Sequence, residues 1–193
     1  MQCQAYSDRD LIALYLNGNE NAFVTLLNRY KGKVYTSIYL MVKDHAVADD
    51  IFQDTFVKVI DTLRSGKYNE EGKFVQWAMR IAYNLCVDHF RRFKRQPTVG
   101  ATDTFDVFNV LPLADENAET KLIRQQTCAR VRLLIDQLPA EQREVVILRH
   151  YADLSFKEIA QITDVSINTA LGRMRYALLN MRKIMAEKQI SLQ

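Results

Sequence analysis

At 193 residues the chain has room for one large domain or two small ones, and its 48% apolar content is that of an ordinary globular protein. Six glycines and three prolines are few, which favours helices throughout. No run of about 18 apolar residues is present, so no membrane insertion is expected, and a net charge of +3 names no partner by itself.

The distribution of that charge says more. Residues 1–95 carry 14 Lys and Arg against 11 Asp and Glu, a balance of +3, and residues 121–193 carry 12 against 7, a balance of +5. Residues 96–120 hold five acids (Asp103, Asp106, Asp115, Glu116 and Glu119) and no base. Two basic blocks around an acidic connector suggest polyanion-binding modules on a tether. The opening MQCQAYSDRDL has no basic flank followed by an apolar block and is not expected to be a signal peptide. Cys3, Cys86 and Cys128 are odd in number and lack a CxxC pair, which points to reduced thiols in a cytoplasm rather than to a disulfide frame or a zinc site.

In chain order, Ser7 with Asp10 three residues on is a capping-box pattern opening DRDLIALYL, which stops at Asn17-Gly18-Asn19. A second helix is predicted from about Asn21 to Met41, with Ala22, Leu26, Tyr30, Val34 and Ile38 as its apolar stripe. A third covers about Ala46 to Leu63, with Ile51, Phe56, Val59, Ile60 and Leu63 inward. After the polar loop RSGKYNEEGK comes FVQWAMRIAYNLCVDHFRRFKR, apolar over most of its circumference and so expected to be largely buried. One polar strip survives on it: Gln76, Arg80, Asn84, Asp88, Arg91 and Arg95. The segment QPTVGATDTFDVFNVLPLADENAE has no sustained period and reads as an irregular linker, longer than a compact single domain usually tolerates.

A helix from about Asn117 to Asp136 opens the second domain. Pro139 is placed as an early residue of the next helix, AEQREVVILRHY. Ser155 with Glu158 forms a second capping-box pattern before SFKEIAQIT, and Asp164-Val165 breaks the chain before SINTALGRMRYALLNMRK, capped by Ser166. In that last helix Ile167, Ala170, Met174, Ala177, Leu178, Met181 and Met185 recur at buried spacing, while Asn168, Thr169, Arg173, Arg175, Tyr176, Arg182 and Lys183 crowd the remaining surface. Two short helices on a tight turn, the second basic, make a helix-turn-helix pattern. Its second helix would enter the DNA major groove, with Asn168, Thr169, Gly172 and Arg173 nearest the base edges. Asn pairs bidentately with adenine and Arg with guanine, Gly172 permits close backbone approach, and Arg173 and Arg175, about 200° apart around the helix, would flank the exposed face.

LPAEQREVVILRHYADLSFKEIAQITDVSINTALGRMRYALLNMRK resembles the promoter-binding C-terminal region of bacterial sigma factors. HAVADDIFQDTFVKV resembles their acidic core-binding stretch, and GKFVQWAMRIAYNLCVDHFRRFKR their DNA-melting helix. With only these two regions and a short connector, the chain resembles the compact extracytoplasmic-function subfamily from about Asp8 to Lys183.

The resemblance implies an all-α protein without enzymatic activity, catalytic residue, metal or cofactor. It implies a region-2 helical bundle over 1–95, a flexible acidic linker over 96–120 and a region-4 helix-turn-helix domain over 121–193. The implied partners are RNA polymerase core, through a coiled coil of its largest subunit, promoter DNA, and the anti-sigma factor that restrains many relatives. Asp49, Asp50, Gln53 and Asp54 match the core-binding motif, with Val47 where the family commonly has an acid. Lys67, Tyr68, Lys73, Trp77, Arg80, Asn84, Arg91 and Arg92 would hold the single strand of the minus-ten element, with Tyr68 as the stacking residue because its loop has no core to serve, and Phe74 and Tyr83 as further rings. Ser166, Asn168, Thr169, Gly172, Arg173, Arg175 and Tyr176 would meet the minus-thirty-five element. Relatives often carry Lys at Leu171 and Arg at Tyr176, so fewer phosphate contacts are expected here. The acidic connector would follow the polymerase's cationic channels.

Two rivals have definite signatures. DDIFQD faintly resembles the aspartate-rich magnesium motif of prenyl-diphosphate enzymes, but Asp49 and Asp50 diverge by about 100° and no second such helix exists. His45, His89 and His150 are isolated. A stand-alone helix-turn-helix regulator would need an effector pocket or a dimerisation heptad, and the first domain offers neither.

Overall fold

The computed structural model describes residues 6–69, 71–95 and 118–188, so the expected linker lies outside the described residues up to position 117. All regular structure among them is helical: α1 (Asp8–Leu16), α2 (Glu20–Val42), α3 (His45–Arg64), α4 (Phe74–Arg95), α5 (Ala118–Asp136), α6 (Ala140–His150), α7 (Phe156–Thr163) and α8 (Ile167–Glu187). None of these helices is long and apolar enough to cross a membrane. The chain divides into two compact units, Met1–Asp103 and Thr104–Gln193.

In the first unit, α1 starts at a complete capping box, in which Ser7 Oγ accepts from the Asp10 amide at 3.2 Å and Asp10 Oδ2 accepts from the Ser7 amide at 3.1 Å. Asp8, one residue on, pairs with Arg29 and accepts the Tyr30 hydroxyl at 2.5 Å, so the first turn of α1 is tied to the middle of α2. Lys43 takes the left-handed conformation that ends α2, and Asp44 Oδ1 then accepts the Val47 amide at 3.0 Å to start α3. That compact corner folds α2 and α3 into a hairpin against which α4 packs. Leu26, Ile38, Leu40, Leu63, Phe74 and Met79 are fully buried between them, each stabilising the bundle by roughly 1.5–3 kcal/mol.

Three expectations for this unit need correction. Tyr30 and Ile60 are half-buried rather than inward: Tyr30 extends its hydroxyl to the Asp8 carboxylate, and Ile60 lies at the edge of its stripe. Helix α4 is buried only over its first part, at Phe74, Ala78, Met79, Ala82, Tyr83 and Cys86. Phe90 and Phe93 continue the same face at helical spacing, yet both are exposed, since the stripe outruns the packed part of the bundle.

The second unit is a smaller bundle around Leu134, Ile135, Leu138, Val145, Ile147, Leu148, Leu154, Ile159 and Ala170. Pro139 is not inside α6 but precedes it: its ψ of 148° is extended, and its carbonyl accepts from Gln142 and Arg143. Arg149 donates to the Leu154 carbonyl at 2.9 Å and lies 5.4 Å from the centre of the Phe156 ring, which fixes the α6–α7 turn. Helix α7 starts with its capping box formed, Ser155 Oγ accepting from the Glu158 amide at 3.3 Å and Glu158 Oε2 accepting from the Ser155 amide at 2.8 Å. It ends at Asp164 in the left-handed region, φ 54°.

Helix α8 packs on α6 and α7 through Ala170, Met174 and Ala177, the two alanines letting it lie close and the methionine filling the space between them. The wider stripe read from the sequence does not hold. Ile167 and Leu178 are each 46% exposed, because both sit about 60–80° around the helix from that row.

Candidate nucleic-acid interface

The α7–turn–α8 pair sets the geometry. Asp164, Val165 and Ser166 form the turn, and Ser166 Oγ accepts the Thr169 amide at 3.0 Å, so α8 begins at a defined residue. The same Oγ lies 2.9 Å from Thr169 Oγ1. Ser166 and Thr169, both expected at the nucleic acid, therefore spend part of their hydrogen-bonding capacity on the cap while remaining exposed.

Beyond the cap, Asn168, Leu171, Arg175, Tyr176, Arg182 and Lys183 all point outward. Gly172 has nothing among the described residues within 4 Å of where a Cβ would be, so a side chain there would meet none of them. Arg173 departs from expectation. It does not mirror Arg175 across an open face but leans toward α6, where its Nη1 lies 3.7 Å from Glu144 Oε2, with about a quarter of each side chain exposed. Asn180 donates to Gln142 at 2.8 Å and Lys188 to Gln137 at 2.6 Å, so Arg173 belongs to a polar seam along one flank of α8. The cause is angular: Arg173 is about 60° from Ala170 around the helix, whereas Arg175 is about 140° away.

On the first unit, two patches carry the expected residues. Asp49, Asp50, Gln53 and Asp54 are all exposed on α3. Asp50, Gln53 and Asp54 share one face. Asp49 is turned toward α2 and accepts the Tyr35 hydroxyl, and burial followed by that carboxylate pushes the Tyr35 phenol up to about 12. The same hydroxyl is 3.1 Å from His45 Nδ1, and the His45 ring stacks on Tyr39 with centroids 4.4 Å apart. Tyr35 was missed in the sequence reading, since only the α2–α3 hairpin brings it beside Asp49.

The second patch lies on α4 and the loop before it. Lys67, Lys73, Arg80, Asn84, Arg91 and Arg92 are exposed, and Arg80, Asn84 and Arg91 share one strip. Arg91 Nη1 is 3.5 Å from Asp88 Oδ1 on that strip. The aromatic expectations need correction. Tyr68 does serve a core: it is half-buried, with its ring 4.3 Å from Trp77 and 6.3 Å from Phe74. Phe74 and Tyr83 are buried and present no stacking face, while Trp77 is half-buried beside the polar strip. Among the described residues no three His, Cys, Asp or Glu side chains gather as a metal site would require.

Comparison with known proteins finds two family models, Sigma-70 region 2 over residues 26–96 and Sigma-70, region 4 over residues 128–178, which together take in well over half the chain. The RNA polymerase sigma-H factor of Pseudomonas aeruginosa is 29% identical over 170 residues, covering 86% of this chain and 87% of that protein. The ECF RNA polymerase sigma factor SigW of Bacillus subtilis is 26% identical, covering 86% of this chain and 90% of the relative. Among solved structures, CnrH in complex with the cytosolic domain of CnrY matches with a TM-score of 0.63 at 24% identity, over 93% of this chain and 97% of that one. The sigma factor RpoE of Bartonella quintana, solved with the anti-sigma factor NepR, gives 0.63 at 17% identity, over 85% of this chain and 96% of that one. At those identities the structural likeness speaks to the fold alone.

Proposed function

This chain belongs to the sigma-70 family, in its extracytoplasmic-function branch, and we propose how its two units divide the work of an alternative sigma factor. Residues 1–95 dock on RNA polymerase core and hold the opened minus-ten element, residues 121–193 place α8 in the major groove of the minus-thirty-five element, and residues 96–120 connect them. The observation that carries this division is the segregation of surfaces. Exposed Asp50, Gln53 and Asp54 occupy one face of α3, while exposed Asn168 and Arg175 occupy the first three turns of a capped α8 in the other unit. Carboxylates suit a basic protein surface and repel DNA, so the acidic face of α3 is assigned to polymerase and the amide-and-guanidinium face of α8 to base edges.

In the first unit, Arg80, Asn84, Arg91 and Arg92 track the strand backbone, with Lys67 and Lys73 from the loop. Trp77, half-buried beside the polar strip, is the ring on which an unstacked base rests, with the Tyr68 ring packed against it. An anti-sigma factor, as in the Bartonella complex, is the regulatory partner we assign to the same surfaces.

Reconstitution tests the whole reading. Core enzyme plus the full chain should give discrete run-off transcripts from a genomic library, and core alone should not. The chain without core should bind duplex promoter weakly and lose binding steeply with salt. Nanomolar binding to an operator by the chain alone, with no response to core, would establish the stand-alone regulator instead.

A further inference from the structure

On the outward side of α8 two leucines, Leu171 and Leu179, do not fit a surface built for phosphate, and Leu171 is the one near the start of the helix. Leu171 is 44% exposed. It lies three residues after Asn168 and four before Arg175, in one row along the helix, and both neighbours are exposed too. The packed row of Ala170, Met174 and Ala177 is about 100° away, so Leu171 is directed away from its own unit's core. An exposed leucine between an amide and a guanidinium gains nothing in the isolated chain.

DNA offers that position a partner. In the major groove the one apolar group on a base edge is the C5-methyl of thymine, and the adenine of an A·T pair presents the N6 and N7 atoms that an Asn side chain pairs with bidentately. Asn168 and Leu171 are separated by about 4.5 Å along the axis, and Leu171 and Arg175 by about 6 Å. Those intervals compare with the roughly 3.4 Å between successive bases of a strand, so the row spans adjacent base pairs. Building on the assignment of α8 as the recognition helix, we propose that Leu171 is a specificity-determining residue that packs on a thymine methyl in the minus-thirty-five element, next to the base pair addressed by Asn168. Where Lys at this position would add a sequence-blind phosphate contact, Leu replaces it with a base-reading one. Ile167 and Leu178 lie farther round toward the packed row, at the edge of this surface.

Removing only the methyl tests the proposal. Holoenzyme made from core and the full chain selects its preferred upstream element from random duplexes. Each thymine of that element, on either strand, is then replaced singly by deoxyuridine. One replacement should weaken wild-type binding about fourfold, the worth of one buried methyl group, and should leave Leu171→Ala holoenzyme unaffected. Alanine at an exposed helical site keeps the helix intact, so this variant folds. The proposal is overturned by a selected element without thymine, by wild-type indifference to every replacement, or by the same sensitivity persisting in Leu171→Ala. It is also overturned if Leu171→Ala weakens core association, which would make Leu171 a protein contact. Should no upstream element emerge, or should Asn168→Ala bind the selected element normally, the recognition-helix assignment itself falls.

Discussion

Ser166 has two duties that can be separated by substitution. Its Oγ accepts the Thr169 amide at 3.0 Å and so caps the helix that carries the proposed base-reading residues. Ser166→Ala leaves that amide to water and should cost about 1 kcal/mol. For a domain of this size that corresponds to a fall in Tm of roughly 4–8 °C. Ser166→Asp keeps a capping oxygen and adds a negative charge at the positive end of the helix dipole, a gain of about 0.3–1 kcal/mol. Its melting temperature should therefore equal or exceed that of the wild type.

DNA binding should rank the two variants in the opposite order. A carboxylate at the first turn of α8 faces the phosphate backbone in the docked state, and like charges within a Debye length repel. Holoenzyme with Ser166→Asp should bind promoter duplex at least tenfold more weakly, by an amount that shrinks as salt is raised, whereas Ser166→Ala should lose only a few-fold. The assays are calorimetric unfolding of the full chain and fluorescence anisotropy of labelled promoter at two salt concentrations. If Ser166→Asp melts as low as Ser166→Ala, the cap is not what Ser166 supplies. If it binds promoter as the wild type does, the start of α8 does not approach DNA.

Further outcomes follow from the other sites. Asp50→Lys with Asp54→Lys should weaken pull-down of core polymerase at least tenfold while shifting stability by no more than about 0.5 kcal/mol per substitution, since both positions are exposed. Equal loss of helical signal in circular dichroism would count against a docking role. Burial pushes the Cys86 thiol up to about 12, and the side chain is enclosed, while Cys128 is half-exposed. Iodoacetamide at pH 8 should therefore modify Cys128 well before Cys86 in peptide mapping, and the reverse order would refute the packing of α4. Burial first, and then the Asp8 and Asp49 carboxylates respectively, raise Tyr30 and Tyr35 to about 12. Because the folded state favours the neutral phenols, their contribution is intact below pH 10 and is lost between about pH 10 and 12. Tyr30→Phe with Tyr35→Phe should flatten that part of the alkaline unfolding curve, and an unchanged slope would refute the assignment.

How much of this was legible beforehand depends on how local each cause is. The caps at Ser7, Ser155 and Ser166 are contacts between residues three apart, and all three formed as the spacing predicts. The all-α fold follows from periodicities that run along single helices. What failed depended on neighbours distant in sequence. Tyr68 sits in a polar loop, so nothing local announces that Trp77 and Phe74 will receive its ring. Phe90 and Phe93 continue a faithful apolar stripe, but the period of a helix cannot say where its partners end. Tyr35 became visible beside Asp49 only once the α2–α3 corner had closed.

Arg173 shows why a basic helix cannot be read by composition alone. Its charge suggested DNA, yet its angle from Ala170 places it within reach of Glu144 across the α6–α8 seam. A partly exposed pair at 3.7 Å adds at most about 1 kcal/mol, so promoter phosphate could compete for the guanidinium at small cost to the fold. Arg175 and Asn168 need no such exchange. On the proposed assignment of α8, the outward row that includes Leu171 would meet bases without rearrangement, whereas Arg173 would join only by giving up its carboxylate. On that proposal the contacts at Asn168, Leu171 and Arg175 would be the discriminating ones, with Arg173 an adjustable contact at the edge.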